Sequence, residues 1–205
     1  TDALSTAAKS IDAFAACLPA LATAIRDGEG EPLALLQFCE AARESGALEA
    51  LCELVNHDDA SVHQAALVLL AMMTTVDVDP LPDLSKQRIK SCGGFAGILN
   101  HLFSDGALTV ALACGCIQNL VADREHSASL HQTGGVDRLR ALAQCDSNAV
   151  SAAARACLRN LFLFEQAQQA SSSTNIAQQQ QADAGSPPSS PSIHLHLTDM
   201  EASMA

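Results

Sequence analysis

One sequence pattern opens with Gly93-Gly94-Phe95-Ala96-Gly97-Ile98-Leu99 and closes with Cys116-Ile117-Gln118-Asn119-Leu120. A second copy of it opens with Gly134-Gly135-Val136-Asp137-Arg138-Leu139-Arg140 and closes with Cys157-Leu158-Arg159-Asn160-Leu161. Gly94 and Gly135 are 41 residues apart, and Asn119 and Asn160 are separated by the same 41 residues. A shared offset of roughly 40 residues between helical segments is typical of proteins built from stacked helical repeats. The sequence therefore predicts a helical unit that is present at least twice.

The composition favours closely packed helices. Apolar residues make up 48% of the 205 residues, whereas aromatic residues make up only 3%, and the chain has neither Trp nor Tyr. A core of Leu, Ala, Val, Ile and Cys suits helices better than a sheet rich in β-branched and aromatic residues. The eight cysteines lie mostly inside apolar helical patterns, and unpaired core thiols suit a reducing compartment. We expect a cytoplasmic protein, with the nucleus as the alternative.

The charge argues against two classes of partner. The formal net charge is −12, and all 11 basic residues lie before residue 166 together with 20 of the 23 acidic residues. Such a surface repels nucleic-acid phosphates and anionic lipids. No wholly apolar run approaches the roughly 18 residues that a membrane span requires. We therefore expect neither nucleic-acid binding nor membrane insertion.

Helical periodicity and loop residues organise the first 165 residues into one domain. Residues 3–26 carry one apolar helical stripe. The later predicted helices lie at about 33–45, 48–55, 61–75, 84–92, 94–103, 107–122, 124–133, 135–144 and 148–165. The predicted units are a partial one at 1–32 and three further ones at 33–83, 84–123 and 124–165. Paired glycines at 93–94 and 134–135 suit a tight corner between helices, where a positive φ and close backbone approach are needed.

Residues 166–205 differ in composition from the rest of the chain. They contain Gln178 to Gln181 and the segment 186–191, which is made of Ser and Pro, and they contain no Lys or Arg. Few large apolar residues occur there, so the segment cannot bury enough surface to offset its ordering entropy. We predict a disordered, acidic tail.

The Gly-Gly-apolar opening and the closing Cys-apolar-x-Asn-Leu resemble the armadillo repeat family over residues 33–165. The last two units carry the resemblance clearly, and the earlier one or two are degenerate. The resemblance implies an all-α fold, a right-handed α-solenoid of three-helix repeats. The third helices of successive units would line a concave groove.

The resemblance also implies candidate binding residues. Family members commonly hold the backbone of an extended peptide with an Asn of the third helix, and the matching residues are Asn119 and Asn160, with Gln118 beside the first. An Asn amide both donates and accepts hydrogen bonds, so it can bind a peptide backbone with little demand on sequence. The structural alternative is that each Asn caps or bridges neighbouring helices.

The residues around the two Asn bear on the kind of ligand. Nuclear-import members of the family carry a Trp one turn before the Asn, but this chain has Gly115 and Ala156 there, so a basic localisation peptide is not expected. Arg155 and Arg159 lie four residues apart on one predicted helix face next to Asn160. They are placed to bind an acidic or phosphorylated ligand, or else they form a solvated basic face.

Motifs of catalysis and of metal binding are missing from the sequence. Cys114 and Cys116 point about 200° apart on a helix, so they cannot easily share a metal or a disulfide. Zinc spacings, phosphate-binding glycine loops, nucleophile elbows and the HExxH motif do not occur. The histidines at 57, 63, 101, 126 and 131 are expected near helix ends or on exposed faces. We predict no catalytic residues, no metal and no cofactor.

These inferences favour a non-catalytic scaffold or adaptor that binds a partner peptide or helix along the groove of third helices, alone or within a larger complex. The alternative is a regulatory factor of the same fold that clasps a folded partner, such as a chaperone nucleotide-exchange factor. A third, less favoured hypothesis is a thiol- or metal-dependent enzyme built on Cys114, Cys116 and nearby histidines.

Overall fold

The computed structural model describes residues 32–184, so the helical stripe predicted at 3–26 and residues 185–205 lie outside the described part. Within 32–184 the chain is helical and contains no strand. Over residues 32–184 nine α-helices follow one another in three triplets. The first triplet is α1 Pro32–Glu44, α2 Ala47–Leu54 and α3 Ala60–Met73, the second is α4 Pro82–Ser91, α5 Gly94–Asn100 and α6 Ala107–Leu120, and the third is α7 Arg124–Gln132, α8 Gly135–Leu142 and α9 Asn148–Ala184. A short 3-10 helix, His101–Phe103, continues α5.

Each second helix of a triplet begins directly after a glycine in the left-handed backbone region. These glycines are Gly46, Gly93 and Gly134, with φ values of 76°, 72° and 75°. An L side chain in this region costs roughly 1–2 kcal/mol because its Cβ crowds the following carbonyl. The corner predicted at the paired glycines is therefore made by the first glycine of each pair.

The second glycine of each pair is buried and serves a different purpose. A Cβ placed on Gly94 would lie 2.2 Å from the sulfur of Cys52, on the neighbouring α2. A Cβ on Gly135 would lie 3.1 Å from the carbonyl oxygen of Leu130. These positions lack a side chain because a neighbouring helix, α2 at Gly94 and α7 at Gly135, approaches too closely to leave room for one.

One apolar core runs through all three triplets. Helix α6 packs along α3, with Leu67 and Leu70 of α3 and Ile117 of α6 fully buried. Burying one such side chain contributes about 1.5–3 kcal/mol, so the packing of successive third helices is a principal source of stability.

A buried polar cluster joins the first triplet to the second. Arg43 Nη1 lies 2.6 Å from Asp79 Oδ2 and 3.0 Å from Ser85 Oγ. The hydroxyl of Ser85 donates to the same carboxylate oxygen at 2.6 Å. The other carboxylate oxygen accepts from the backbone N–H of Leu81 at 2.9 Å. The loop between α3 and α4 thus places a carboxylate in the core, which the sequence pattern did not reveal.

Helix α9 extends further than the sequence predicted. The composition suggested a helix end near 165 and disorder over 166–205, whereas α9 continues to Ala184. Residues 167–184 contain neither Gly nor Pro and are rich in Ala and Gln, which are good helix formers. The chain divides into two compact units between Gln166 and Ala167.

Candidate functional site

Cysteines connect each third helix to the one before it. Cys116 of α6 donates from its sulfur to the carbonyl of Leu67 at 3.0 Å, and Cys157 of α9 donates to the carbonyl of Cys114 at 2.8 Å. Burial raises the pKa of the Cys116 thiol to about 12. The side chain of the neighbouring Cys114, together with burial, raises the pKa of the Cys157 thiol. These thiols stay protonated at neutral pH and act as hydrogen-bond donors, in contrast to the thiolates that enzymes use.

The two asparagines make the same kind of connection. Asn119 Nδ2 donates to the carbonyl of Ala71 at 3.1 Å and to Thr74 Oγ1 at 3.2 Å, so both amide hydrogens are engaged. Asn160 Nδ2 donates to the carbonyl of Gln118 at 3.0 Å, which leaves one amide hydrogen. Each Asn therefore bridges neighbouring helices, as the structural alternative expected. Among the described residues neither Oδ1 has a partner, so both remain as acceptors.

The position one helical turn before each Asn is small and accessible. Gly115 and Ala156 occupy it in α6 and α9, and Val68 occupies the matching position of α3, where Met72 stands in place of the Asn. We call these three positions the third-helix face. Val68 is 38% exposed, and a Cβ on Gly115 would meet no atom of residues 32–184 within 4 Å. Leu108 lies seven residues before Gly115 and is 59% exposed, while Leu163 lies seven residues after Ala156 and is 56% exposed. Residues seven apart share one side of a helix, so the face is shallow and apolar with larger side chains at its ends.

The two arginines predicted beside Asn160 have different surroundings. Arg155 donates to the carbonyl of Ala143 and to the hydroxyl of Ser151, both at 3.0 Å, so its guanidinium is held within its own unit. Arg159 is exposed and has no polar partner among the described residues. Only Arg159 is thus placed with its guanidinium available to a ligand.

A polar cleft that the sequence did not predict lies between α4, the end of α6 and the start of α7. It has a volume of about 330 Å³, and its lining includes Lys86, Lys90, Asn119, Asp123 and His126. Lys90 Nζ lies 2.8 Å from Asp123 Oδ2. The carboxylate of Asp123 also caps α7 by accepting from the backbone N–H of His126 at 3.1 Å.

His126 lies in the first turn of α7, near a helix end as expected, and it is buried there. It is only 5% exposed, and its ring stacks on Phe95 with the centroids 4.2 Å apart. Its Nδ1 lies 3.0 Å from the carbonyl oxygen of Leu120. The nearby sequence signal is Asp123, which predicts the start of α7 but not the burial of its third residue.

The described residues offer neither a membrane-spanning helix nor a cluster of metal ligands. Among the helices of 32–184, none is both long and apolar enough to cross a membrane. In the same stretch no three His, Cys, Asp or Glu side chains are grouped so that they could hold a metal ion. Cys114 and Cys116 are both fully buried, so neither sulfur is accessible to a substrate.

Comparisons with known proteins address the fold. No family model and no curated protein matches the chain. Solved structures do match. An engineered protein shares 22% identity at a TM-score of 0.54, over 62% of this chain and 50% of that one. A designed armadillo repeat protein shares 20% identity at a TM-score of 0.52, over 62% and 51% of the two chains.

The chain has an armadillo-like repeat fold. A third similar structure, of computationally designed armadillo repeat proteins for modular peptide recognition, shares 20% identity at a TM-score of 0.52, over 60% of this chain and 50% of that one. The chain therefore covers about half the length of each of these structures. The all-α armadillo-like architecture expected from the repeated pattern is confirmed.

Proposed function

We propose that this chain is a non-catalytic binding scaffold, and that a partner peptide or helix lies across α3, α6 and α9 on the third-helix face. The observation that carries the proposal is the side-by-side attachment of the third helices, which leaves a continuous row of small, accessible positions. A similar structure of armadillo repeat proteins designed for modular peptide recognition supports this use of the fold.

Gly115 gives a physical reason to expect close approach by a partner. Gly in a helix interior is destabilising by roughly 0.5–1 kcal/mol relative to Ala. Within the described part of the chain no neighbouring atom requires Gly there, because a Cβ would meet nothing within 4 Å. A partner backbone or small side chain lying directly over α6 would account for the absence of a side chain.

The remaining hydrogen-bonding atoms of the two Asn define what they offer to a peptide backbone. Asn160 keeps one amide hydrogen and Oδ1, so it can both donate and accept. Asn119 keeps only Oδ1, so it can only accept from a peptide N–H. Packed helix axes are about 8–10 Å apart, and an extended chain rises about 3.3 Å per residue. The two Asn would therefore contact backbone groups two or three residues apart.

The side chains around the face determine the preferred sequence of the ligand. Val68, Leu108 and Leu163 present apolar surface, and no aromatic side chain stands at the position before each Asn to form slots for lysines. Arg159 supplies one available positive charge beside Asn160. The ligand is thus an apolar peptide or amphipathic helix with one acidic or phosphorylated residue at the α9 end.

The test is affinity capture with the intact chain and with two matched variants. Gly115→Arg places a long charged side chain on the open face without entering the core. Ala128→Arg places the same side chain on the exposed surface of α7. We expect a captured partner to be lost with Gly115→Arg and retained with Ala128→Arg.

Retention of every partner by Gly115→Arg would reject the third-helix face as the binding surface. The regulatory alternative gives a separate readout, because a factor that clasps a folded chaperone lobe accelerates nucleotide release. Nucleotide release from a purified chaperone ATPase domain, with and without the chain, distinguishes the two hypotheses.

A further inference from the structure

Two cysteines from different triplets meet at the corner between α4 and α5. Cys52 belongs to α2, and its sulfur lies against Gly94, where the missing Cβ leaves room for it. Cys92 directly follows α4, two residues before Gly94, and its sulfur donates to the carbonyl of Ile89 at 3.3 Å. Ile89 also adjoins the Gly94 position, since its Cγ2 lies 3.3 Å from a Cβ placed there. Both sulfurs therefore lie beside the last turn of α4.

The two thiols are close enough to affect each other. Burial raises the pKa of the Cys52 thiol, and the neighbouring side chain of Cys92 raises it further. Side chains influence the ionisation of one another in this way within about 4–6 Å. Cys52 is thus a protonated thiol at neutral pH that stands next to a second thiol.

The two cysteines differ in their access to solvent. Cys92 is the only exposed cysteine among residues 32–184, whereas Cys52 is 5% exposed. A dissolved oxidant therefore needs to reach only Cys92, because Cys52 reacts with its neighbour and not with the oxidant. Cys114 and Cys157 are also neighbours, but both are fully buried, so the same oxidant reaches neither of them.

We propose that Cys52 and Cys92 form a reversible disulfide when the chain meets hydrogen peroxide. The sulfur of Cys92 attacks one peroxide oxygen, the O–O bond breaks, and a sulfenic acid and one water are formed. The sulfur of Cys52 then attacks the sulfur of Cys92, and the S–S bond forms as the S–O bond breaks. The hydroxyl group leaves with the proton of Cys52 as a second water. The two thiols lose two electrons and two protons, and the peroxide gains them.

The raised pKa of Cys52 slows its attack, but its position beside Cys92 favours the attack, because neighbouring groups react as if at very high concentration. A dithiol reductant restores both thiols by thiol–disulfide exchange. The bond joins α2 to the corner before α5, at the contact between the first two triplets. Neither cysteine belongs to a third helix, so this modification is independent of binding at the third-helix face.

The experiment treats the intact, reduced chain with hydrogen peroxide and maps its disulfides by mass spectrometry of unreduced peptides. A parallel sample contains dimedone, which labels sulfenic acids. Cys92→Ser removes the exposed thiol, and Cys52→Ala removes its partner. Cys145→Ser is the matched control, because Cys145 is half-buried and, like Cys92, donates to a nearby backbone carbonyl.

We expect the parent and Cys145→Ser to lose two hydrogens, or about 2 Da, in a peptide pair linked through Cys52 and Cys92, and to regain them with dithiothreitol. Cys52→Ala should carry roughly tenfold more dimedone on Cys92 than the parent does, because the competing reaction is lost. Cys92→Ser changes only an exposed side chain, so it tests the link even if Cys52→Ala fails to fold. A link that persists in Cys92→Ser, a Cys92 that stays free in the parent, or one that pairs with another cysteine overturns the proposal.

Discussion

The two Asn should contribute unequally to stability, because they make different numbers of hydrogen bonds to the preceding helix. A hydrogen bond within a protein contributes a net of about 1 kcal/mol. Asn119 makes two such bonds and Asn160 makes one. We expect Asn119→Ala to lower the free energy of unfolding by about 2 kcal/mol, and Asn160→Ala to lower it by about 1 kcal/mol.

The measurement is equilibrium urea unfolding followed by far-ultraviolet circular dichroism, with the slope of the free energy against denaturant expected to stay constant. Gln118→Ala is the matched control, since it removes a half-buried polar side chain from the same helix. Only the backbone carbonyl of Gln118 accepts the bond from Asn160, so the control should stay within about 0.5 kcal/mol of the parent. The reasoning fails if both Asn variants are no less stable than the control.

Three further perturbations test other parts of the structure. Gly94→Ala forces a methyl group against a buried sulfur 2.2 Å away and should cost about 1–3 kcal/mol in urea unfolding, whereas Gly115→Ala should stabilise by about 0.5–1 kcal/mol. Arg43→Met removes the counter-ion of a buried carboxylate and should cost about 3–5 kcal/mol; the control, Arg140→Met, breaks an exposed ion pair and should cost about 0–1 kcal/mol. Partial burial tends to raise the pKa of Asp123, but hydrogen bonds from Lys90 and from the start of α7 lower it overall. Its stabilising contribution should therefore be complete above the ordinary Asp pKa of about 3.9 and be lost as the pH falls through the lower folded value. In Asp123→Asn this pH dependence should be absent, so the melting temperature of the variant should change less than that of the parent as the pH is lowered.

Local sequence signals were enough for the helices and their corners. The spacing of Gly94 and Gly135 predicts two equivalent corners between helices. A glycine before a helix indicates a turn of positive φ, because this preference is a property of glycine itself and does not depend on distant residues. The division of roles within each pair was not predictable, because the burial of Gly94 depends on Cys52, which is distant in sequence. The third helices were also identified locally, from the repeated Cys-apolar-x-Asn pattern.

The site was less predictable because its properties arise between units. Arg155 and Arg159 appear equivalent on a helical projection, yet the carbonyl of Ala143 engages only the first. His126 looks like an ordinary residue at a helix start, and its burial depends on α5 packing beneath it. The extent of α9 beyond 165 was missed because low hydrophobicity predicts poor packing, whereas a helix rich in Ala and Gln can persist without a breaker residue.

Some side chains of the third helices contribute both to stability and to the proposed binding. Only variants that separate these two contributions are informative. Loss of binding in Asn119→Ala has two explanations, because the same side chain joins α6 to α3. Gly115 separates the two, since a Cβ at this position meets no atom of the described residues within 4 Å. If a partner lies on the face, Gly115→Ala raises the free energy of unfolding and weakens binding at once. If no partner lies on the face, the same substitution stabilises the chain and has no effect on binding. The destabilisation of α6 by Gly115 would then have no explanation in the packing of the described residues.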